Sequence, residues 1–327
     1  MNSEESLLKH KERLKMKLFM EIDKIAGMMG RGRMTIIAGR PSVGKTSFAL
    51  SLLAEVALKK EHPLSVAMFS MEMTGEQITR RLLCSVANIP EMELSKIGKM
   101  SDWNKITHAA TSIMKAKILI DSAPSITIEV LKEKAVRLKR DENIDLMIID
   151  YLQLMRVPTA SKSETGQGEP SLVSAEIKTL AKELDTPILV LAQLDKDTEL
   201  RRDARPSLSE LGETGTLEQD ADIVAFLHRN IREHDKVSEE EKCKGLCSEL
   251  IIGKNRYGET GTVPLLYFPD TMTFSPNETI NRHRQVSSSK FLHNEHERFR
   301  MAQRESLRQA EHLFQSLMHQ GFTEGEI

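Results

Sequence analysis

Cysteine is scarce in this chain, and long apolar runs are missing. The 327 residues include Cys at positions 84, 243 and 247 only, too few for a disulfide framework and typical of a reducing compartment. The amino-terminal stretch MNSEESLLKHKERLKMK has no apolar signal core, and no window approaches the roughly 18 uninterrupted apolar residues of a membrane helix. The sequence therefore predicts a cytoplasmic protein without a membrane span.

Aromatic residues and excess charge are also scarce. Aromatics make up 4% of the chain, so the core must consist mainly of aliphatic side chains and Met. The formal net charge of -2 excludes a polycation that binds nucleic acid through its overall charge. Any contact with nucleic acid must instead come from a local basic strip.

What the chain does contain is a regular alternation of apolar runs and helical patterns. This alternation predicts an α/β fold with a mostly parallel central sheet and helices on both faces. Near the end of the pattern, SELIIGKNRYG and TVPLLYFP predict an antiparallel edge hairpin around a Gly turn. Changes in composition predict an amino-terminal linker helix over 1–30, a core over 31–276 and a charged helical tail over 277–327.

The segment that follows the first apolar run has the strongest motif. GRPSVGKT matches G-x-x-x-x-G-K-[ST], lies after a predicted strand and opens a predicted helix. In such a phosphate-binding loop, or P-loop, backbone N–H groups surround phosphate oxygens, Lys45 contacts the β- and γ-phosphates and the Thr46 hydroxyl binds Mg²⁺. The alternative is an ordinary glycine turn. The residues predicted to bind ATP are Gly39, Arg40, Pro41, Ser42, Val43, Gly44, Lys45, Thr46 and Ser47.

Three polar residues end neighbouring strands or follow them. Asp150 ends the run LMIID, where a carboxylate is suited to hold Mg²⁺ through water. Glu72 follows the strand AMFS and is suited to orient or deprotonate an attacking water. Gln193 ends ILVLA, where an amide can bond a γ-phosphate. The alternatives are a turn cap for Asp150, a helix-start acid for Glu72 and a plain polar strand end for Gln193.

Several segments together are similar to a known family. The DnaB family of replicative helicases has a series of motifs that this chain resembles, over about residues 20–274, in GRPSVGKT, FSMEMTGEQITRRLL, LMIIDYLQLM, LAQLDKD, RPSLSELGETGTLEQDADIVAFLHR and LIIGKNRYGETGTV. The resemblance implies a RecA-like P-loop NTPase fold, a hexameric ring, ATP hydrolysis with Mg²⁺ and 5′–3′ translocation on single-stranded DNA in replication. It also implies a replication partner such as a loader or an initiator.

The resemblance also implies roles for single residues. Glu72 matches the catalytic glutamate, Asp150 the magnesium aspartate and Gln193 the phosphate sensor. Lys254 and Arg256 match a basic pair that reaches into the neighbouring subunit's site. These two residues lie two apart on a predicted strand, so their side chains share a face, and no acid is near in sequence to neutralise them. The alternative is a solvated pair on an edge strand.

Two departures from the family bear on partners. The family has a helical amino-terminal domain that binds primase, whereas only about 30 residues precede the P-loop here, so primase binding is not expected. The family pattern L-R-E-S-G reads Leu211-Gly-Glu-Thr-Gly215, and the loss of the Arg to Gly212 predicts weaker DNA affinity per subunit. The residues predicted to contact DNA are Arg201, Arg202, Gly212, Glu213 and Gly215, although Arg201 and Arg202 fit a solvated basic loop equally well.

Three functions remain to be compared. The first is a ring-shaped, ATP-driven DNA helicase core. The second is a helicase-like ATPase that acts as a loader, partner or DNA-binding clamp without processive unwinding. The expected loss of the amino-terminal domain and the loss of the loop Arg are its motives. A strand-exchange ATPase is the third, and the segments GKNRYGETGTV and ELGETGTLEQDAD weigh against it.

Overall fold

A computed structural model describes the chain over residues 30–58, 63–96, 100–124, 126–150, 169–194, 205–211, 215–229 and 244–277. The predicted segments 1–30 and 277–327 lie outside these ranges apart from Gly30 and Asn277, so the three-part division of the chain stays a prediction.

The described residues form one mixed sheet. Its strands are β1 (Met34–Gly39), β2 (Val66–Ser70), β3 (Ile118–Asp121), β4 (Leu146–Asp150), β5 (Ile188–Gln193), β6 (Ile223–His228), β7 (Leu246–Asn255), β8 (Gly261–Phe268) and β9 (Thr273–Pro276). They lie in the order β3-β2-β4-β5-β1-β6-β7-β8-β9. The first six pair in parallel, and β7 to β9 continue the sheet antiparallel. The predicted mostly parallel sheet with an antiparallel side is therefore confirmed.

The sequence predicted that the hairpin of β7 and β8 forms the edge of the sheet. In the structure a further strand lies outside it. β9 pairs antiparallel with β8 and lies outside it. The sequence TFSP lacks the apolar run that marks the other strands, and it ends in Pro276, a residue that a sheet tolerates at an edge. The pairing with β8 supplies the backbone hydrogen bonds that make this short segment a strand.

Helices connect the parallel strands. They are α1 (Lys45–Ala57), α2 (Gly75–Ala87), α3 (Met100–Lys115), α4 (Ile128–Glu142), α5 (Glu169–Glu183) and the short α6 (Gly215–Asp220), with 3₁₀ turns at Glu91–Lys96 and Leu208–Leu211. Local chemistry sets several ends: α2 begins in a capping box in which the Gln77 N–H donates to Thr74 and the Thr74 N–H donates to Gln77. None of the described helices is both long and apolar enough to cross a membrane.

Apolar side chains of the parallel strands pack on both faces of the sheet. On β1, Ile37 belongs to a core cluster with Phe48 of α1, whereas Ile36 and Ala38 belong to a second cluster with Ile177 of α5. A strand buried on both faces needs apolar residues at every position, which explains the continuous apolar runs in the sequence. The parallel arrangement also brings the carboxyl ends of β1, β2, β4 and β5 to one edge.

Candidate nucleotide site

The carboxyl edge of the sheet brings together the residues that the sequence predicted for phosphate chemistry. Gly39 at the end of β1 pairs in register with Gln193 at the end of β5. Ser70 at the end of β2 pairs with Asp150 at the end of β4, and the Met71 N–H donates to the Asp150 carbonyl over 2.8 Å. The crevice at the carboxyl ends of such strands is where ligands bind in open α/β sheets.

The P-loop turns through two left-handed residues before α1 begins. Ser42 has φ 62° and Gly44 has φ 100°. At Gly44 an added Cβ would be strained and would lie 3.1 Å from the Phe274 ring, so this position requires glycine. The turn directs the loop across the amino-terminal end of α1, where unpaired N–H groups and the helix dipole favour an anion.

Lys45 is held against the backbone of its own loop. Its ammonium donates to the carbonyl oxygens of Gly39 over 2.9 Å and Arg40 over 3.1 Å. Burial lowers the pKa of Lys45, and the negative charges of Asp150 and Glu72 oppose this shift. The ammonium therefore lies in a partly dehydrated, acidic pocket where a phosphate would be bound more strongly than in water.

Thr46 and Asp150 form a pair of oxygen ligands. The Thr46 hydroxyl donates to Asp150 Oδ2 over 2.8 Å, and the carboxylate is almost fully buried. Burial raises the pKa of Asp150 to about 6, against the hydrogen bond from Thr46, with the charge of Glu72 raising it further and those of Lys45 and Arg81 lowering it. A buried carboxylate that lacks sufficient positive charge fits Mg²⁺, which takes few protein oxygens and completes its shell with phosphate and water.

Glu72 and Gln193 flank this pair. Glu72 lies two residues beyond β2 and is exposed, yet its charge reaches both Lys45 and Asp150. Gln193 is half-buried at the end of the strand next to the P-loop strand. In the described part of the chain no three His, Cys, Asp or Glu side chains form a cluster that could hold a metal by themselves.

Three residues beside the P-loop were missed by sequence reasoning. Arg229, just beyond β6, donates from Nη2 to the Ser42 carbonyl over 2.7 Å, and its guanidinium lies 4.3 Å from the centre of the Tyr267 ring. The Tyr267 and Phe274 ring centres are 4.8 Å apart, and Phe274 contacts Gly44. These side chains form a wall along the P-loop, and only the antiparallel strands β8 and β9 bring the rings there.

The basic pair, Lys254 and Arg256, lies at the opposite end of the parallel strands, near their amino ends. The Lys254 ammonium donates to the carbonyls of Glu218 and Gln219 at the end of α6. Arg256, one residue beyond β7, donates to the Gln219 carbonyl, and its Nη1 is 3.6 Å from Asp222 Oδ1. The acid beside Arg256 is thus not one near in sequence, because the fold brings Asp222 to it from 34 positions away.

The predicted DNA-contacting residues fall mostly outside the described ranges. Arg201, Arg202, Gly212 and Glu213 belong to the segments that are not described, whereas Gly215 is the first residue of α6. Their roles stay predictions. On the amino-terminal side of this segment, Leu211 is buried in the core and Glu210 forms an ion pair with Arg40.

Comparison with known proteins gives one consistent family. Residues 16–276 match the family model of the DnaB-like helicase C terminal domain. The chain is 41% identical over 258 residues to the replicative DNA helicase DnaB of Geobacillus stearothermophilus and 40% identical over 258 residues to the replicative DNA helicase DnaC of Bacillus subtilis (strain 168). Each match covers 78% of this chain and 55% of the relative, so the chain spans about half the length of these relatives.

Solved structures agree in fold. A DnaB-like replicative helicase, described together with its interactions with primase, is similar with a TM-score of 0.68 and 32% identity, over 78% of this chain and 61% of that one. A second solved structure, described as an ATPase domain, is similar with a TM-score of 0.69 and 30% identity, over 84% of this chain and 99% of that domain.

Proposed function

The chain belongs to the family of DnaB-like helicase C-terminal domains, and we propose that it is an ATP-dependent helicase core that hydrolyses ATP between the subunits of a homo-oligomeric ring, translocates along single-stranded DNA and acts in replication. A cytoplasmic location and a hexameric ring are part of this proposal, as is a loader or initiator that brings the ring to DNA. The RecA-like fold is common to the ATPase domains that the chain resembles.

One observation supports hydrolysis between subunits most strongly. The P-loop and Arg256, both of which hydrolysis needs, lie at opposite ends of the parallel strands. Thr35 of β1 is in register with Ile223 of β6, and Ile223 is in register with Asn255 of β7. Arg256 therefore lies level with Met34, where β1 begins, while Gly39 is five residues further along β1. At about 3.3 Å per residue that separation is about 17 Å along the strand, too far for both to hold one γ-phosphate.

Within one site, we assign the phosphate contacts to Lys45 and the P-loop N–H groups. Thr46 and Asp150 would hold Mg²⁺, which neutralises charge on the phosphates when it is bound. Glu72 orients and deprotonates the attacking water from the exposed side of the crevice. Gln193 forms a hydrogen bond with the γ-phosphate. When hydrolysis removes this phosphate, the loss of the hydrogen bond moves the segment that follows β5. Lys254 and Arg256 of the adjacent subunit contribute the positive charge that the developing transition state requires.

Strand displacement on a forked DNA substrate tests this function. The expected result is ATP-dependent displacement by the wild-type protein and none by Lys45→Ala, because this variant lacks the positive charge that contacts the phosphates. A matched control is Lys105→Ala, which removes an exposed lysine of α3. ATP hydrolysis and DNA binding without displacement would instead favour a loader or clamp, the alternative for which Gly212 in place of the family's Arg is the specific motive.

A further inference from the structure

A partly buried ion pair connects Arg40 of the P-loop to a turn that is distant in the sequence. Its Nη2 lies 3.1 Å from Glu210 Oε2, and the two side chains are 18% and 15% exposed. Most surface ion pairs contribute little because water and salt screen them, whereas loss of one partner from a buried pair leaves an uncompensated charge. The Arg40–Glu210 contact therefore restricts how the P-loop and the turn Leu208–Leu211 can move relative to each other.

The nucleotide site acts on this ion pair through Lys45. The Lys45 ammonium donates to the Arg40 carbonyl, the backbone of the residue whose side chain holds Glu210. A phosphate offers Lys45 a full negative charge in place of a carbonyl dipole, and charge-assisted hydrogen bonds are the stronger ones. Phosphate binding is thus expected to draw Lys45 away from the Arg40 carbonyl and to change the force on Glu210.

The other side of the turn reaches the basic pair by two routes. Leu208 packs on the backbone of β7 next to Lys254, since a Cβ added at Gly253 would lie 3.4 Å from Leu208 Cδ2. Leu211 is in the same core cluster as Leu217 of α6. The carboxyl end of α6 presents the carbonyls of Glu218 and Gln219 to Lys254 and Arg256, where a helix dipole favours cations.

We infer that Glu210 is a positioning residue that couples the P-loop of a subunit to its own Lys254 and Arg256, and so links successive ATP sites around the ring. The inference rests on the proposed function, because the basic pair acts on the neighbouring site only in an assembly. Glu210 itself is not assigned a contact with phosphate. Its effect passes through Arg40 on one side and through the turn and α6 on the other. A purely structural ion pair is the competing explanation.

Doping rings with inactive subunits separates the two explanations. Glu72→Gln subunits are mixed in increasing fractions into rings of wild-type protein, Glu210→Gln, Glu210→Asp or Glu249→Gln, and steady-state ATP hydrolysis is measured. Glu249 is the matched control, because it pairs with Arg205 and ties the same stretch to β7 without touching the P-loop. If the sites are independent, half-doped rings keep about half of their activity, since each inactive subunit removes one site.

We expect the ATP hydrolysis of wild-type, Glu210→Asp and Glu249→Gln rings to fall much more steeply with the fraction of inactive subunits than independent sites would allow. Rings of Glu210→Gln should hydrolyse ATP without added inactive subunits and should follow the proportional loss expected of independent sites, the independent line. A steep loss in Glu210→Gln rings, an independent line for the wild type, or an independent line for Glu249→Gln would each overturn the inference. Failure of the proposed function is distinguishable, because undoped wild-type protein would then show no ATP hydrolysis or no mixing of subunits.

A measurement that needs no Glu210 variant covers the case in which Glu210→Gln does not fold. Hydrogen exchange is followed at the Glu210 amide, which donates to the Ser207 carbonyl over 3.0 Å, in Glu72→Gln protein with and without ATP and Mg²⁺. ATP binding should change the exchange rate of this amide by about fivefold or more, the lower end of usual coupling between sites. An unchanged rate at saturating ATP would contradict the inference.

Discussion

Two buried aspartates at opposite ends of the parallel strands differ in how their charge is neutralised. Asp150 and Asp222 are each 1% exposed. Burial raises the pKa of Asp150 to about 6, because Thr46, Lys45 and Arg81 compensate it only in part. At Asp222 burial also acts to raise the pKa, but the hydrogen bonds from Lys178 and Met34 and the charges of Lys178 and Arg256 outweigh it, so the pKa is lowered.

We propose that this difference separates an acid with a role in the nucleotide site from an acid with a role in the fold. Asp222 has its cations within the chain and fastens the start of β1, the buried Lys178 and the Arg256 side chain to one another. Asp150 lacks sufficient positive charge in its own chain, which makes its carboxylate costly to ionise and receptive to an added cation. The edge with the uncompensated acid is also the edge with the P-loop.

At the Asp150 end of the strands, a large effect is expected for Glu72, the residue that we propose activates the attacking water. Glu72→Gln should bind ATP normally and lose hydrolysis by about 10²–10⁴-fold, the usual contribution of a general base. Glu76→Gln removes an exposed acid from the first turn of the nearby α2 and is the matched control, with near-normal turnover expected. Single-turnover hydrolysis together with nucleotide binding measures both, and more than a tenth of wild-type turnover in Glu72→Gln would make the assignment wrong.

Removing the Asp222 carboxylate should cost stability. Asp222→Asn leaves Lys178 buried without its charge partner, and breaking such a pair typically costs about 3–5 kcal/mol. The free energy of unfolding, measured in denaturant at neutral pH, should fall by this order. The comparison variant is Asp185→Asn, which removes an exposed partner of Arg31 and should change stability by less than about 1 kcal/mol. Equal effects of the two substitutions would show that Asp222 is not specially compensated.

Removing the Asp150 carboxylate should have the opposite effect on stability. The folded-state pKa of Asp150, about 6, lies above the ordinary aspartate value of 3.8. Between these values the folded state binds more protons than the unfolded state, so the wild type loses stability as pH rises from about 4 to 6. Asp150→Asn lacks this loss. Relative to the wild type, the variant should gain stability over that window, by up to about 3 kcal/mol at neutral pH, while Mg²⁺-dependent hydrolysis is lost.

Unfolding curves for both proteins between pH 4 and pH 7 test this sign. A difference that shrinks with rising pH, or one that does not change at all, would mean that Asp150 is well compensated in the folded chain.

The smallest expected effect concerns DNA affinity. Gly212→Arg should tighten binding to single-stranded DNA and steepen the slope of log affinity against log salt by about 0.7, the value for one added phosphate contact. Asn104→Arg adds the same charge on an exposed part of α3 and should leave the slope unchanged. Titrations at several salt concentrations provide the slopes, and equal slopes for Gly212→Arg and the wild type would mean that residue 212 does not face DNA.

The sequence predicted best those features that depend on residues close together along the chain. The P-loop, the apolar strands and Asp150 at a strand end follow from short patterns, because backbone turns, continuous burial and parallel pairing act through neighbouring residues. The sequence could not reveal β9, which is a strand only because β8 pairs with it. Nor could it reveal the pairs Arg40–Glu210 and Lys178–Asp222, whose partners are 170 and 44 residues apart.

A mixed-ring experiment tests the central claim that the site is shared between subunits. Arg256→Ala and Glu72→Gln should each be nearly inactive alone, since an arginine that supplies transition-state charge contributes about 10³–10⁵ in rate. In rings shown to contain both variants, some interfaces pair an intact Glu72 with an intact Arg256 from the neighbour. Those interfaces should hydrolyse ATP in a single-turnover measurement, which does not depend on coupling between sites. Normal hydrolysis by Arg256→Ala alone, or inactive rings that contain both variants, would contradict a site shared between subunits.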